Sequence, residues 1–121
     1  MEDLTLETIV ALHDGMMAES GEDTRIVSEG NLHQLVFRAN LMDDVHKRAA
    51  FVFWSLCAFP AFCGGNGRTA RRLAETILAS GGHTIDLPCE ELHRLVQGID
   101  AFNVEIDDVE QFLHSHSRKT H

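Results

Sequence analysis

The chain of 121 residues has no basic excess: 10 lysines and arginines stand against 19 aspartates and glutamates, a formal net charge of -9. So acidic a chain lacks the positive footprint that a nucleic-acid partner requires. Cysteine is sparse as well. Cys57, Cys63 and Cys89 cannot make an even disulfide framework, and their spacing fits no zinc template. Reduced thiols in a cytoplasmic protein are expected. A secretory leader is missing, since the N-terminus is acidic where a basic start and an apolar run would stand. The apolar stretch Ala49 to Phe62, interrupted by Ser55, falls short of the about 20 residues a bilayer span needs. It predicts a buried central helix, with no membrane partner. Strand patterns are almost absent: Thr84-Ile85 and Val104-Glu105-Ile106 alternate too briefly for a sheet. There is no internal repeat.

Helical periodicity fills the rest. Hydrophobic content of 44% and charged content of 24% are those of a globular domain. One domain of this length buries roughly two-thirds of its unfolded surface. Leu6, Ile9, Val10, His13 and Met17 recur at helical spacing, as do Leu32, Leu35, Val36 and Ala39. Asp43 or Asp44 can cap the central helix. The next helix starts near Asn66, with Ala70, Leu73, Ala74 and Ile77 inward and Arg68, Arg72 and Glu75 outward, and Gly81-Gly82 stops it. Leu92, Leu95, Val96 and Ile99 line a helix after Pro88, whose ring suits a first turn. Val109, Phe112 and Leu113 line a last one, started by Asp107. The expectation is an all-α helical bundle around a central apolar helix. It forms one domain over residues 1–113, followed by a frayed polar tail, 114–121.

The chemistry concentrates in Gly64-Gly65-Asn66-Gly67-Arg68-Thr69-Ala70-Arg71. Glycines let an anion approach the backbone closely, and a helix start offers unpaired N–H groups with the positive end of the dipole. Arg68 and Arg71, three apart, share a helix face and can each grip phosphate oxygens with a forked guanidinium. Asn66 can hold a phosphate, organise the loop or cap the helix. Arg68, Arg71 and Arg72 make a local positive patch that suits a small anion. The plainer alternative is a solvated face with an exposed Arg71–Glu75 pair. Just before the glycines, Phe59-Pro60-Ala61-Phe62-Cys63 contains no histidine, aspartate or glutamate to act on what is cradled.

This segment resembles the signature of the Fic/Doc family, the filamentation-induced-by-cAMP and death-on-curing proteins: His-x-Phe-x-Asp/Glu-Gly-Asn-Gly/Lys-Arg, often with a second arginine three residues on. Gly65-Asn66-Gly67-Arg68 fixes the register, Arg71 matches the second arginine and Phe62 the packing phenylalanine. Pro60 then stands at the position of the family's catalytic histidine, and Gly64 at that of its acidic metal ligand. Further likenesses run along the chain. Ile9-Val10-Ala11-Leu12-His13-Asp14-Gly15 is similar to the first helix of Doc-like proteins, and Ser28-Glu29-Gly30-Asn31-Leu32 to the opening of their second. Gly81-Gly82-His83-Thr84-Ile85-Asp86-Leu87-Pro88 is similar to a turn between later helices.

The resemblance implies a Fic/Doc-like bundle related to toxins that transfer AMP or phosphate from ATP to a protein hydroxyl. It assigns Gly65, Asn66, Gly67, Arg68 and Arg71 to the phosphates of ATP or another nucleotide. Pro60 has no ionisable group. General-base help is worth about 10²–10⁴-fold, so its loss impairs transfer. Gly64 offers no side-chain oxygen to Mg²⁺, which leaves only backbone or nucleotide oxygens to hold that ion. A catalytically impaired protein acting by nucleotide or protein binding is the leading expectation. An active transferase would need a base from His33, His46 or its target. A pure interaction module would pair with a small antitoxin-like protein, in which case the glycine loop is only structural. Cys63 beside the helix start reads as an inert side chain rather than a nucleophile, since no base is identifiable near it. His13 reads as a satisfied core histidine. His114, His116 and His121 read as tail residues without a role, metal binding being the alternative.

Overall fold

The run that begins at Val45 becomes α3 (Val45–Ala58), and the rest of the molecule is arranged around it. Asp44 starts it: the Oδ1 atom accepts the His46 and Lys47 N–H groups at 2.9 and 3.0 Å. The helix ends at Ala58, four residues before the expected Phe62. Pro60 is the reason, because a proline disfavours helical backbone at the residue before it. Phe59 accordingly leaves the helix at φ −126° and ψ 76°. A computed structural model describes residues 2–86 and 88–119.

Around α3 lie α1 (Leu6–Ser20), α2 (Glu29–Asn40), α4 (Asn66–Ser80), α5 (Cys89–Asp100) and α6 (Ile106–His116). The fold is all-α apart from a short ribbon, β1 (His83–Ile85) paired antiparallel with β2 (Ser117–Lys119). α3 packs against α2, α4, α5 and α6, while α1 lies on α2 and α4. Phe51, Val52, Phe53 and Leu56 of α3 are buried together with Leu32, Leu35, Leu73, Leu78, Ile99, Val109 and Leu113. Truncating one such leucine to alanine costs about 2–5 kcal/mol. Among the described residues, no helix is long and apolar enough to cross a membrane.

Local chemistry sets the other boundaries. Thr5 and Ser28 accept backbone N–H groups at the starts of α1 and α2, and Gly21 ends α1 in the left-handed region at φ +70°. α6 starts one residue before the expected Asp107, since the Glu105 N–H donates to the Asp108 carboxylate at 3.0 Å. Pro88 precedes the first residue of α5 instead of lying in its first turn. Thr84-Ile85 falls in β1, whereas Val104-Glu105-Ile106 forms no strand.

The tail differs most from expectation. His114 and His116 end α6, and Ser117–Lys119 form β2, with Ser117 opposite Ile85 and Lys119 opposite His83. The order comes from the ladder and from the Asp86 N–H, which donates to the His116 carbonyl at 3.0 Å. Thr120 and His121 lie outside the described residues.

Candidate functional site

The loop from Phe59 to Gly65 is held from three sides. From within, the Asn66 Oδ1 atom accepts the Ala61 and Phe62 N–H groups at 3.2 and 3.1 Å, and its Nδ2 donates to the Phe62 carbonyl at 2.9 Å. Of the roles open to Asn66, the side chain therefore performs loop organisation. It is the first helical residue and not the cap. From α1, buried His13 donates its Nε2 hydrogen to the Gly64 carbonyl at 2.7 Å, and its ring stacks on Phe62 with centroids 3.6 Å apart. From the α1–α2 connection, the Val27 and Ser28 N–H groups donate to the Ala61 carbonyl, and the Cys63 N–H donates to the Arg25 carbonyl.

His13 is a core histidine with only one ring nitrogen satisfied. Its Nδ1 is buried without a hydrogen-bond partner, 3.7 Å from an Asp14 carboxylate oxygen. Phe62 packs as expected: it is fully buried and fixes the loop through His13.

Gly65 takes the cap position of α4 at φ +75°. A Cβ there would stand 2.4 Å from the Met17 Cε atom, so both backbone and space demand glycine. At Gly64 a Cβ would meet nothing within 4 Å. α1, α2 and α3 each start with a side chain accepting their first N–H groups, whereas α4, like α5, has no side-chain cap. Its opening donors and the positive end of its dipole are left for another acceptor.

Arg68 and Arg71 flank that opening and border two grooves. The larger, about 610 Å³, runs between α1 and α4 past Met16, Arg72 and Glu75. The smaller, about 250 Å³, lies between α4 and α5 and is lined by Gly67, Cys89, Leu92, His93 and Val96. The expected Arg71–Glu75 pair is present at 3.8 Å, with Arg72 at 4.0 Å from the same carboxylate. Arg68 is engaged by Glu22, whose carboxylate also accepts the Ser20 hydroxyl at 2.6 Å. The Ser20 hydrogen bond first, and Arg68 second, hold the Glu22 carboxyl below its ordinary range. An anion is thus already seated on one arginine, and it comes from the chain itself.

The two positions without reactive side chains are accessible. Pro60 is exposed, its carbonyl accepting Asn31 Nδ2 at 3.1 Å, and Gly64 is half-buried. Neither proposed replacement base reaches the arginines. His33 is exposed on α2 and lines neither groove. His46 is buried in the first turn of α3 against His83 and His114, and His83 follows the opposite end of α4. Cys63 is exposed, with the Arg25 guanidinium 3.9 Å from its sulfur, and Cys57 is buried, its thiol pushed up to about 12 by burial. Among the described residues, no group of three or more His, Cys, Asp or Glu side chains is arranged to hold a metal ion.

Glu22 and His93 escape sequence reasoning. Glu22 contacts Arg68 and His93 shares a groove with both arginines, each from another helix or connection, and no spacing along the chain announces that. Compared with known proteins, the chain matches no family model and no curated sequence.

Proposed function

We propose that this is a cytoplasmic Fic/Doc-like protein that binds the phosphates of a nucleotide such as ATP at the start of α4, and that it is impaired in transfer to protein hydroxyls. One observation carries the reading: an uncapped helix start flanked by two arginines, beside a rigid loop with no acid or base at Pro60 or Gly64. In this reading the N–H groups near Gly65, Asn66 and Gly67 and the guanidinium groups of Arg68 and Arg71 hold phosphate oxygens. Nothing there takes a proton from an attacking hydroxyl, so binding, of nucleotide or of a target protein, is the output.

Binding is tested by calorimetry and thermal shift with ATP and ADP, with and without Mg²⁺, beside Arg68→Ala. A ligand at a hundred times its Kd stabilises the fold by about 2.7 kcal/mol, a shift expected in the native chain and lost in the variant. No shift with either nucleotide would refute the reading.

Glu22 supports a second reading. Because its carboxylate already occupies Arg68, the glycine loop can be structural and the molecule an interaction module of a toxin–antitoxin-like pair. Co-purification of a small partner that survives Arg68→Ala would favour it. An active transferase remains as a third form of the proposal only if the target supplies the base, since His33 and His46 line neither groove.

A further inference from the structure

The end of α4 remote from the arginines carries a different cluster. Gly81 and Gly82 turn the chain into β1, where His83 meets His46 of α3 edge to face, ring centres 4.5 Å apart. His114 of α6 stacks on His46 at 3.9 Å with the planes 11° from parallel. The Nε2 atom of buried His46 lies 3.0 Å from the hydroxyl of Ser117, the first residue of β2. Three imidazoles from three elements therefore meet where the C-terminal ribbon rests on the bundle.

We propose that this stack is an acid-operated latch: neutral imidazoles seat the ribbon on α3, and their protonation releases β2 while the bundle stays folded. Two imidazolium rings at such separations repel, and the burial of His46 limits the water that would screen its charge. Asp44, Glu110, His83 and His114 act on His46 directly, and the elements packed around the stack carry further charges. On the own helix of His46 the neighbouring groups are Asp44 and Lys47; on α6, Glu110 and His114; on β1, His83; on β2, Arg118 and Lys119. The carboxylates offset the repulsion only in part. Asp44 already accepts two backbone N–H groups, and Glu110 lies 3.6 Å from His114. Burial first, then His114 and His83, hold His46 below its ordinary 6.5. A lowered folded value means that the released form binds the proton better. The latch is complete above the ordinary value of 6.5, weakens as the pH falls through it, and loses no more below the lowered folded value.

The neighbouring His116 has the opposite sign, which confines the opening. Its Nδ1 faces the Phe112 carbonyl at 2.9 Å and its Nε2 faces the Glu91 carboxylate at 2.7 Å. Two acceptors on one ring call for both ring hydrogens, and these contacts raise its pKa. Acid therefore keeps the end of α6 on α5 while the strand beyond it loosens.

Residue-resolved amide exchange on the full chain, corrected for intrinsic rates, tests the latch between about pH 7 and about pH 5, where histidine charges change. Protection of the β1 and β2 amides is expected to fall severalfold, with α3 and α4 unchanged. The variant His46→Gln, which removes the buried imidazole and keeps a side-chain amide for Ser117, is expected to flatten that response, while His83→Gln/His114→Gln, which leaves His46 buried, reduces it only in part. Ribbon protection that ignores pH overturns the latch. So does an equal loss over the whole bundle, or a response that persists undiminished in His46→Gln.

Discussion

Glycines bound α4 at both ends, and they are used for opposite purposes. At the C-terminal end the backbone closes on itself. The Gly81 and Gly82 N–H groups donate to the Leu78 and Ala79 carbonyls, and the Ser80 hydroxyl donates to the Ile77 carbonyl at 2.6 Å. The position of Gly81 against Val45 leaves no room for a side chain. At the N-terminal end the glycines leave donors open, no side chain caps the helix, and arginines crowd the opening. The closed end serves the fold, and the open end is where the proposed ligand would bind.

The largest expected effect comes from supplying the chemistry that the open end lacks. The double variant Pro60→His/Gly64→Glu places a base and an acid where the Fic/Doc resemblance puts them. Gly64 has an ordinary φ and room for a Cβ, and Pro60 is exposed, so the loop can accept both. Transfer of label from ATP to protein is expected to rise by about 10²–10⁴-fold, the usual worth of a positioned general base. If the folded double variant transfers no more than the native chain, the loop is not a disarmed transferase loop. The open end would then be a binding surface alone.

Next in size is a comparison of glycines. Gly65→Ala forces a side chain into the left-handed region and toward Met17, and is expected to cost about 2–4 kcal/mol. Gly81→Ala keeps an ordinary φ but presses its Cβ to 2.8 Å from a Val45 methyl, which predicts about 1–3 kcal/mol through repacking. Gly64→Ala is expected within about 0.5 kcal/mol of the native chain. Thermal unfolding of the three variants reads this order. A Gly65→Ala chain as stable as Gly64→Ala would mean that the loop does not hold the geometry described.

Much of this architecture is legible along the chain because it rests on short-range rules. The alternation of apolar residues marks all six helices, Asp44 marks the start of α3, and Gly65 to Arg71 mark the opening of α4. What stays hidden depends on contacts distant in sequence. Polar residues 114–119 read as a loose tail because nothing local reveals that Ser117 meets His46 and pairs with β1, 71 and 32 positions away. His13 shows its helical period but not its bond to Gly64, 51 residues on. The role of Asn66 is undecided in sequence for the same reason: one side chain suits a cap, a ligand or a loop, and only the fold chooses.

The smallest effect concerns the anion that the open end already holds. Glu22 follows the glycine that ends α1, and its carboxylate reaches Arg68 while accepting the Ser20 hydroxyl. A phosphate that grips the same terminal nitrogen of Arg68 must displace it. Both side chains are about half exposed, so the pair is screened and the displacement penalty is modest. Glu22→Gln is therefore expected to tighten ATP binding by only about two- to fivefold, consistent with an exposed pair. The pH dependence tests whether the ionised Glu22 carboxylate is what opposes the phosphate. Ser20 and Arg68 hold the Glu22 carboxyl below 4.5, so the contact is intact above that value and is lost as the pH falls through the lowered one. Inorganic phosphate keeps a negative charge in that range, and its affinity for the native chain should rise toward that of Glu22→Gln as the contact breaks. Calorimetric titrations at descending pH would show the two curves converging. Parallel curves would mean that the Glu22 carboxylate does not oppose phosphate binding, either by its contact with Arg68 or by its charge.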